Sequence, residues 1–310
     1  MENVSAVTSF ILSAYFELQD HIYLYSLSFL LAYIFILLSN SVLILAIYFE
    51  RSLHEPMYLL ICNLSVNGVY GGTSLLPSML GHLMSHNYEV SLTRCVLQLY
   101  CLHSYATIEL TILAVMSYDR YVAISHPLHY HLLMSPRKVS AAITLVWLAP
   151  LIYTMFFTVF AAQHTFCGRI IEKVFCTNFH LVKLSCFDTT IQSFVGLALL
   201  LVSPCSQFVM ILFSYVQILR ICLSASKESQ IKAIQTCTPH LLALVNFVVG
   251  GLFEIIQSRF NMSHVPHKAR VFMSLYILIF PPLFNPVVYG ISIQSIRVQI
   301  LKLFSGKKRK

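Results

Sequence analysis

The sequence predicts an all-α membrane protein: a seven-transmembrane helix bundle with a short amphipathic eighth helix. Three observations predict it. The 310 residues are 57% hydrophobic and only 10% charged, where a soluble chain carries roughly 25% charge, and mean hydropathy is +0.75. Seven apolar runs are long enough to cross a hydrocarbon core of about 30 Å. After the last run come Arg297, Lys302, Lys307, Lys308, Arg309 and Lys310, a basic tail suited to anionic lipid. The expected organisation is one domain over residues 1–310: a tail at 1–21, the bundle at 22–291, and a helix with a basic tail at 292–310.

The net charge of +8 does not point to nucleic acid, because so much of it sits in that tail; membrane lipid is the partner it suits. Nine cysteines are scattered through apolar segments with no CxxC spacing, so neither a zinc site nor any other cofactor is implied. Residues 1–20 hold Glu2, Glu17 and Asp20 and no Lys or Arg, so no signal peptide is expected and the first span acts as its own insertion signal. Asn3-Val4-Ser5 is a glycosylation sequon in the tail, and Asn261-Met262-Ser263 is a second one close to the membrane.

Span one covers 22–49 without a charge, and Asn40 is its notable polar residue, expected to hydrogen-bond within the bundle. Span two is 57–85. Span three, 95–118, holds one internal charge, Glu109. Glu109 lies eleven residues before Arg120, which places the two on one face to within about 20°. A carboxylate in a bilayer is costly, and two readings stay open: a protonated, hydrogen-bonded group or an ion site. Arg137-Lys138 open span four, 139–162. A long loop, 163–190, holds Cys167, Cys176 and Cys186. With Cys95 they make four thiols, which pair in three ways. Spans five, six and seven are 189–221, 232–258 and 271–291. In the last, Pro286 removes a helix hydrogen bond and makes a hinge. Residues 292–304 carry Ile293, Ile296, Ile300, Leu303 and Phe304 on one side, as a helix lying on a membrane does. Seven spans and the basic tail put the amino terminus outside the cell.

The chain is organised around Met116-Ser117-Tyr118-Asp119-Arg120-Tyr121-Val122-Ala123-Ile124-Ser125-His126-Pro127-Leu128-His129-Tyr130, where the third span is expected to end on Asp119-Arg120-Tyr121. Arg cannot lose its charge, so its partner decides where it points. This string resembles the third-helix signature of rhodopsin-like G-protein-coupled receptors, in the form carried by olfactory receptors. Pro56-Met57-Tyr58, Asn63-Leu64-Ser65, Ser214-Tyr215, the run Lys232 to His240 (KAIQTCTPH) and Asn285-Pro286-Val287-Val288-Tyr289 match further family motifs in order. The family's second-helix Asp is replaced by Gly68, and its sixth-helix Tyr by Val248. Glu109 is expected to stand in part for the missing Asp, in an internal polar network with Asn40.

The resemblance implies disulfides Cys95–Cys176 and Cys167–Cys186. It implies a switch built from Asp119, Arg120, Tyr121, Tyr215, Lys232, His240, Asn285, Pro286 and Tyr289. It implies a small-molecule odorant as ligand and a heterotrimeric G protein of the stimulatory olfactory type as partner, in the plasma membrane of sensory cilia. Opsin and amine-receptor chemistry are absent, because Ile279 and Leu102 stand where those receptors carry Lys and Asp. The pocket is expected between spans three, five and six, from His103, Ala106, Thr107, Leu110, Leu199, Ser203, Ile255 and Arg259. Arg259 and His103 resemble residues of the fish-like, or class I, subgroup. An Arg fork matches a carboxylate, so the ligand is expected to be small and acidic; the third outer loop and the CNLSVNG stretch resemble receptors of aquatic vertebrates, which implies a water-soluble one. The other reading of Arg259 is a side chain that reaches for the headgroups. No nucleophile and base come together in sequence, so an enzyme is not expected. A non-olfactory rhodopsin-like receptor for a small metabolite is the alternative.

Overall fold

The structure, a computed structural model, describes residues 7–187, 190–260, 262 and 264–305. The side chains of 190–201, Leu199 among them, and of Arg259 lie outside that description, as do Asn3, Asn261 and residues 307–310.

Long helices build the molecule: α1 Ile22–Phe49, α2 Pro56–Ser85, α3 Leu92–Ser125, α4 Pro136–Ala162, α5 Thr190–Leu223, α6 Lys227–Arg259, α7 His267–Ser292, and the shorter α8 Gln294–Phe304. Among the described residues, seven helices are long and apolar enough to cross a membrane. Their outward faces require lipid. Phe156, Val209 and Leu212 are 75%, 67% and 66% exposed, and water would penalise each such side chain by about 1.5–3 kcal/mol.

Helix ends follow local chemistry. Pro opens α2 and α4, where a missing N–H costs nothing. Ser91 caps α3 by accepting from Arg94 N, and Ser226 caps α6 by accepting from Ser229 N. α3 does not end at the Asp-Arg-Tyr triplet, as expected, but runs on to Ser125. The stop comes from Pro127, which disfavours helical backbone at His126.

The first 21 residues are more than a tail. Ser9–Leu12 forms β1, with Phe10 and Leu12 buried and their neighbours half-buried. It pairs antiparallel with β2, Glu89–Ser91, and parallel with β3, Ile170–Ile171, in the order β2-β1-β3. A 3-10 helix, Ser13–His21, then buries Tyr15 and Leu18 beside Leu76 and Met79 of α2. Partners for this pairing come from two distant loops, so no local pattern announces it.

Cys95–Cys176 and Cys167–Cys186 are bonded, which fixes the long loop over this end of the bundle. It is called the disulfide end below, and the other the Arg120 end. Each has a core cluster. The first joins Tyr15, Leu76, Leu99, Tyr105 and Phe175. The second joins Leu64, Leu113, Met116, Leu244, Phe247 and Tyr289.

Prolines inside α7 leave carbonyls without helical donors, and other helices supply them. Pro286 has no N–H for the Pro282 carbonyl, and Asn40 Nδ2 of α1 donates there at 2.9 Å. Pro281 likewise frees the Ile277 carbonyl, to which Tyr105 Oη donates at 3.3 Å. Both donors are buried. α6 reaches α7 closely at Gly250, where a Cβ would stand 2.8 Å from Ile277 Cα.

Candidate functional site

At the Arg120 end, the charge pair is tightly held. Arg120 donates to Asp119 Oδ2 from Nη2 at 2.5 Å and from Nε at 3.1 Å. Asp119 is fully buried. Its second oxygen, Oδ1, accepts from Tyr130 Oη at 2.6 Å. Tyr130 begins a one-turn helix, Tyr130–Leu133, after the Pro127 turn. Burial first, and then the negative Asp119, push the Tyr130 hydroxyl above its usual range, so it stays a donor. Tyr121 meets Phe213 of α5 edge to face at 5.7 Å.

One layer deeper, His240 of α6 is buried between α5 and α3. Its Nε2 is 2.9 Å from the Leu113 carbonyl, and its Nδ1 is hydrogen-bonded to Tyr215 Oη. With the Leu113 bond made by an Nε2 proton, Nδ1 is the acceptor for tyrosine. Three helices thus meet on one imidazole. Tyr289 Oη is buried nearby and has no hydrogen-bond partner among the described residues. Lys232, by contrast, is exposed and pairs with Glu228 at 2.7 Å.

Glu109 occupies the middle of the bundle. Oε2 accepts from Asn67 Nδ2 and Oε1 from Asn285 Nδ2, each at 2.7 Å. This links α2, α3 and α7 through a carboxylate. Gly68 has a steric reason: a Cβ there would stand 3.1 Å from Asn40 Oδ1. The polar side chain of α2 sits one position earlier, at Asn67. Asn40 and Glu109 therefore have separate partners, the first the α7 backbone and the second two amides. Among the described residues no three His, Cys, Asp or Glu side chains form a metal site.

The expected ligand stripe is only partly brought together. His103 bonds the Leu99 carbonyl through Nδ1 at 3.0 Å and lies 5.5 Å from Phe157 of α4. Thr107 donates back to the His103 carbonyl at 2.8 Å. Ala106 is half-buried between the two core clusters, and Leu110 is buried in the Arg120-end cluster. Ser203 accepts from Gln207 Nε2 at 3.4 Å. Ile255 is half-exposed.

A cavity of about 400 Å³ opens nearer the disulfide end, between the long loop and the ends of α6 and α7. None of the six expected ligand residues whose side chains are described lines it. Lys173 does, from the loop. Its Nζ donates to Ser274 Oγ at 2.6 Å, Gln257 Oε1 at 3.1 Å and Glu254 Oε2 at 3.2 Å. Burial pulls Lys173 below the usual lysine value, and Glu254 opposes that shift. Burial, with Lys173 and Lys183 nearby, lowers His180 to about 4, so it stays neutral at physiological pH.

Sequence reasoning missed Asn67, Tyr130 and Lys173. Asn67 had a signal, being the polar neighbour of the substituted Asp position. Tyr130 had one too, since it closes the motif string. Lys173 had none, because a loop has no periodicity to say where it points.

The comparisons with known proteins agree with this architecture. The olfactory receptor family model matches residues 29–307. Human olfactory receptor 52K2 is 31% identical over 298 residues, 93% of this chain and 92% of that protein. Human olfactory receptor 51E1 is 32% identical over 97% of this chain and 95% of its own length. Human olfactory receptor 2AT4 is 34% identical over 89% and 86%. Squid rhodopsin superposes with a TM-score of 0.74 at 16% identity, covering 93% of this chain and 86% of that one, which shows the shared fold. The chain is a member of the olfactory receptor family, a multi-pass G-protein-coupled receptor of the plasma membrane and not an enzyme.

Proposed function

We propose that this receptor binds a small, acidic, water-soluble odorant at the disulfide end and activates a stimulatory olfactory-type G protein, raising cyclic AMP. The disulfide end and the amino terminus face outward, and the Arg120 end faces the cytoplasm. Sensory cilia are the expected site. The acid-binding group of this reading is Arg259 at the end of α6.

One observation carries the coupling. Both oxygens of Asp119 are engaged, one by Arg120 and the other by Tyr130. Asp119 engages Nε and Nη2 of Arg120, which holds the guanidinium against its own helix. Moving α6 away from α3 breaks the His240 contact to the Leu113 carbonyl. Ligand binding acts by favouring the displaced state. In that state Arg120 exchanges Asp119 for a carbonyl or carboxylate of the G protein.

The test is Arg120→Gln at matched surface delivery, with cyclic AMP measured against pooled carboxylic acids. Loss of the stimulated signal is expected. An intact signal sinks the coupling proposal. A second arm, Arg259→Gln, tests the ligand group alone; an unchanged dose–response to acids removes Arg259 from the ligand site and leaves the coupling proposal standing.

A further inference from the structure

The cavity under the long loop has a polar wall unbalanced toward donors. Among the described residues that line it, Lys173, Lys183 and Arg270 bring three cationic groups, against the single acid Glu172. Lys173 is already committed to Glu254, Gln257 and Ser274. That commitment has a consequence for Gln257. Its Oε1 accepts from both Lys173 and Ser274, at 3.1 and 3.0 Å, and its Nε2 is left buried without a partner among the described residues. Arg270 Nε and His267 Nδ1 are in the same condition. All three residues line the cavity. His267 and Arg270 are three apart on α7 and so share a helix face.

A buried polar group with no partner costs about 1–3 kcal/mol. Three around one cavity indicate a site completed by something that accepts hydrogen bonds. Val174, Phe179, Phe260 and Met262 also line it, so the occupant has an apolar part. A cation is disfavoured, because Lys183 and Arg270 outnumber the acid that remains uncommitted.

We propose that this cavity is a binding site for a small organic carboxylate. Its oxygens accept from Arg270, His267 and Gln257, and its hydrocarbon body lies against Phe179, Phe260 and Met262. His267 serves as the tautomer protonated on Nδ1. The site shares the acidic ligand class of the proposed function but is formed by other residues. It needs no G protein to bind.

The test is direct binding to the purified full-length receptor in lipid nanodiscs. The probes are straight-chain carboxylates from butanoate to decanoate, each with its matched primary alcohol and primary amine. At least one acid is expected to bind where its alcohol and amine do not. Arg270→Gln is expected to weaken that acid about tenfold or more, the scale of a lost charge-assisted hydrogen bond. Arg270→Lys should recover part of it. Lys183 is exposed, so Lys183→Glu tests the cavity's charge without threatening the fold, and a weakening of several-fold is expected. Acids that bind no better than alcohols mean that the cavity holds water alone, which overturns the proposal. Acid binding that survives both Arg270→Gln and Lys183→Glu but is lost in Arg259→Gln also overturns it, and leaves the proposed function intact.

Discussion

Replacing Tyr130 by Phe removes one oxygen from the structure and tests the resting switch. The ring stays, so packing is kept. The lost contact is the 2.6 Å hydrogen bond to Asp119 Oδ1. Asp119 is fully buried, so water does not readily take the place of the hydroxyl. Hydrogen bonds to charged groups contribute about 1.5–3 kcal/mol. If the bond belongs to the resting arrangement, that energy comes off the resting state alone. Each 1.4 kcal/mol is about a tenfold change in an equilibrium. While the active state is a minor species, its population rises by about tenfold or more. The assay is basal cyclic AMP in cells with surface delivery matched to wild type, with Arg120→Gln as the silent control. A rise in basal signal is expected. A basal signal at or below the wild-type level, in a variant that is delivered normally, refutes the idea that Tyr130 helps hold Arg120 at rest.

Two further predictions concern the helices around the switch. Asn40→Leu strands the Pro282 carbonyl that Pro286 cannot serve, and should lower stability by about 1–3 kcal/mol; a thermal midpoint equal to wild type would show that the carbonyl has another donor. Gly250→Ala forces α6 and α7 apart, because its Cβ would stand 2.8 Å from Ile277 Cα, whereas Gly251→Ala meets only Ile277 Cδ1 at 3.9 Å. Thermal unfolding should therefore separate the two, with about 1–3 kcal/mol lost at Gly250 and little at Gly251.

Much of the fold was legible in the sequence because a bilayer leaves few choices. With no water to serve the backbone, an apolar run of some twenty residues must be helical. The α1 bounds are those the apolar run gives, 22–49. Hydropathy ends span three at Tyr118, because it marks the lipid and not the helix, and the helix itself continues until Pro127 stops it. Glu109 could be placed facing the bundle by helical spacing. Its two amide partners could not, because Asn67 and Asn285 lie on other helices.

Composition and hydropathy by themselves determined the membrane, the seven crossings and the amphipathic eighth helix, and the motif string determined the family. Those properties are written in local runs, whose meaning does not depend on what lies across the bundle. Only tertiary structure decided that Ser9–Leu12 becomes a strand, that Asn40 and Tyr105 serve the carbonyls freed by α7 prolines, and that Lys173 enters the cavity under the loop. Each of these rests on a hydrogen-bonding group finding its partner dozens to hundreds of residues away. Such a partner is chosen by how helices pack, and spacing along one helix carries no record of it.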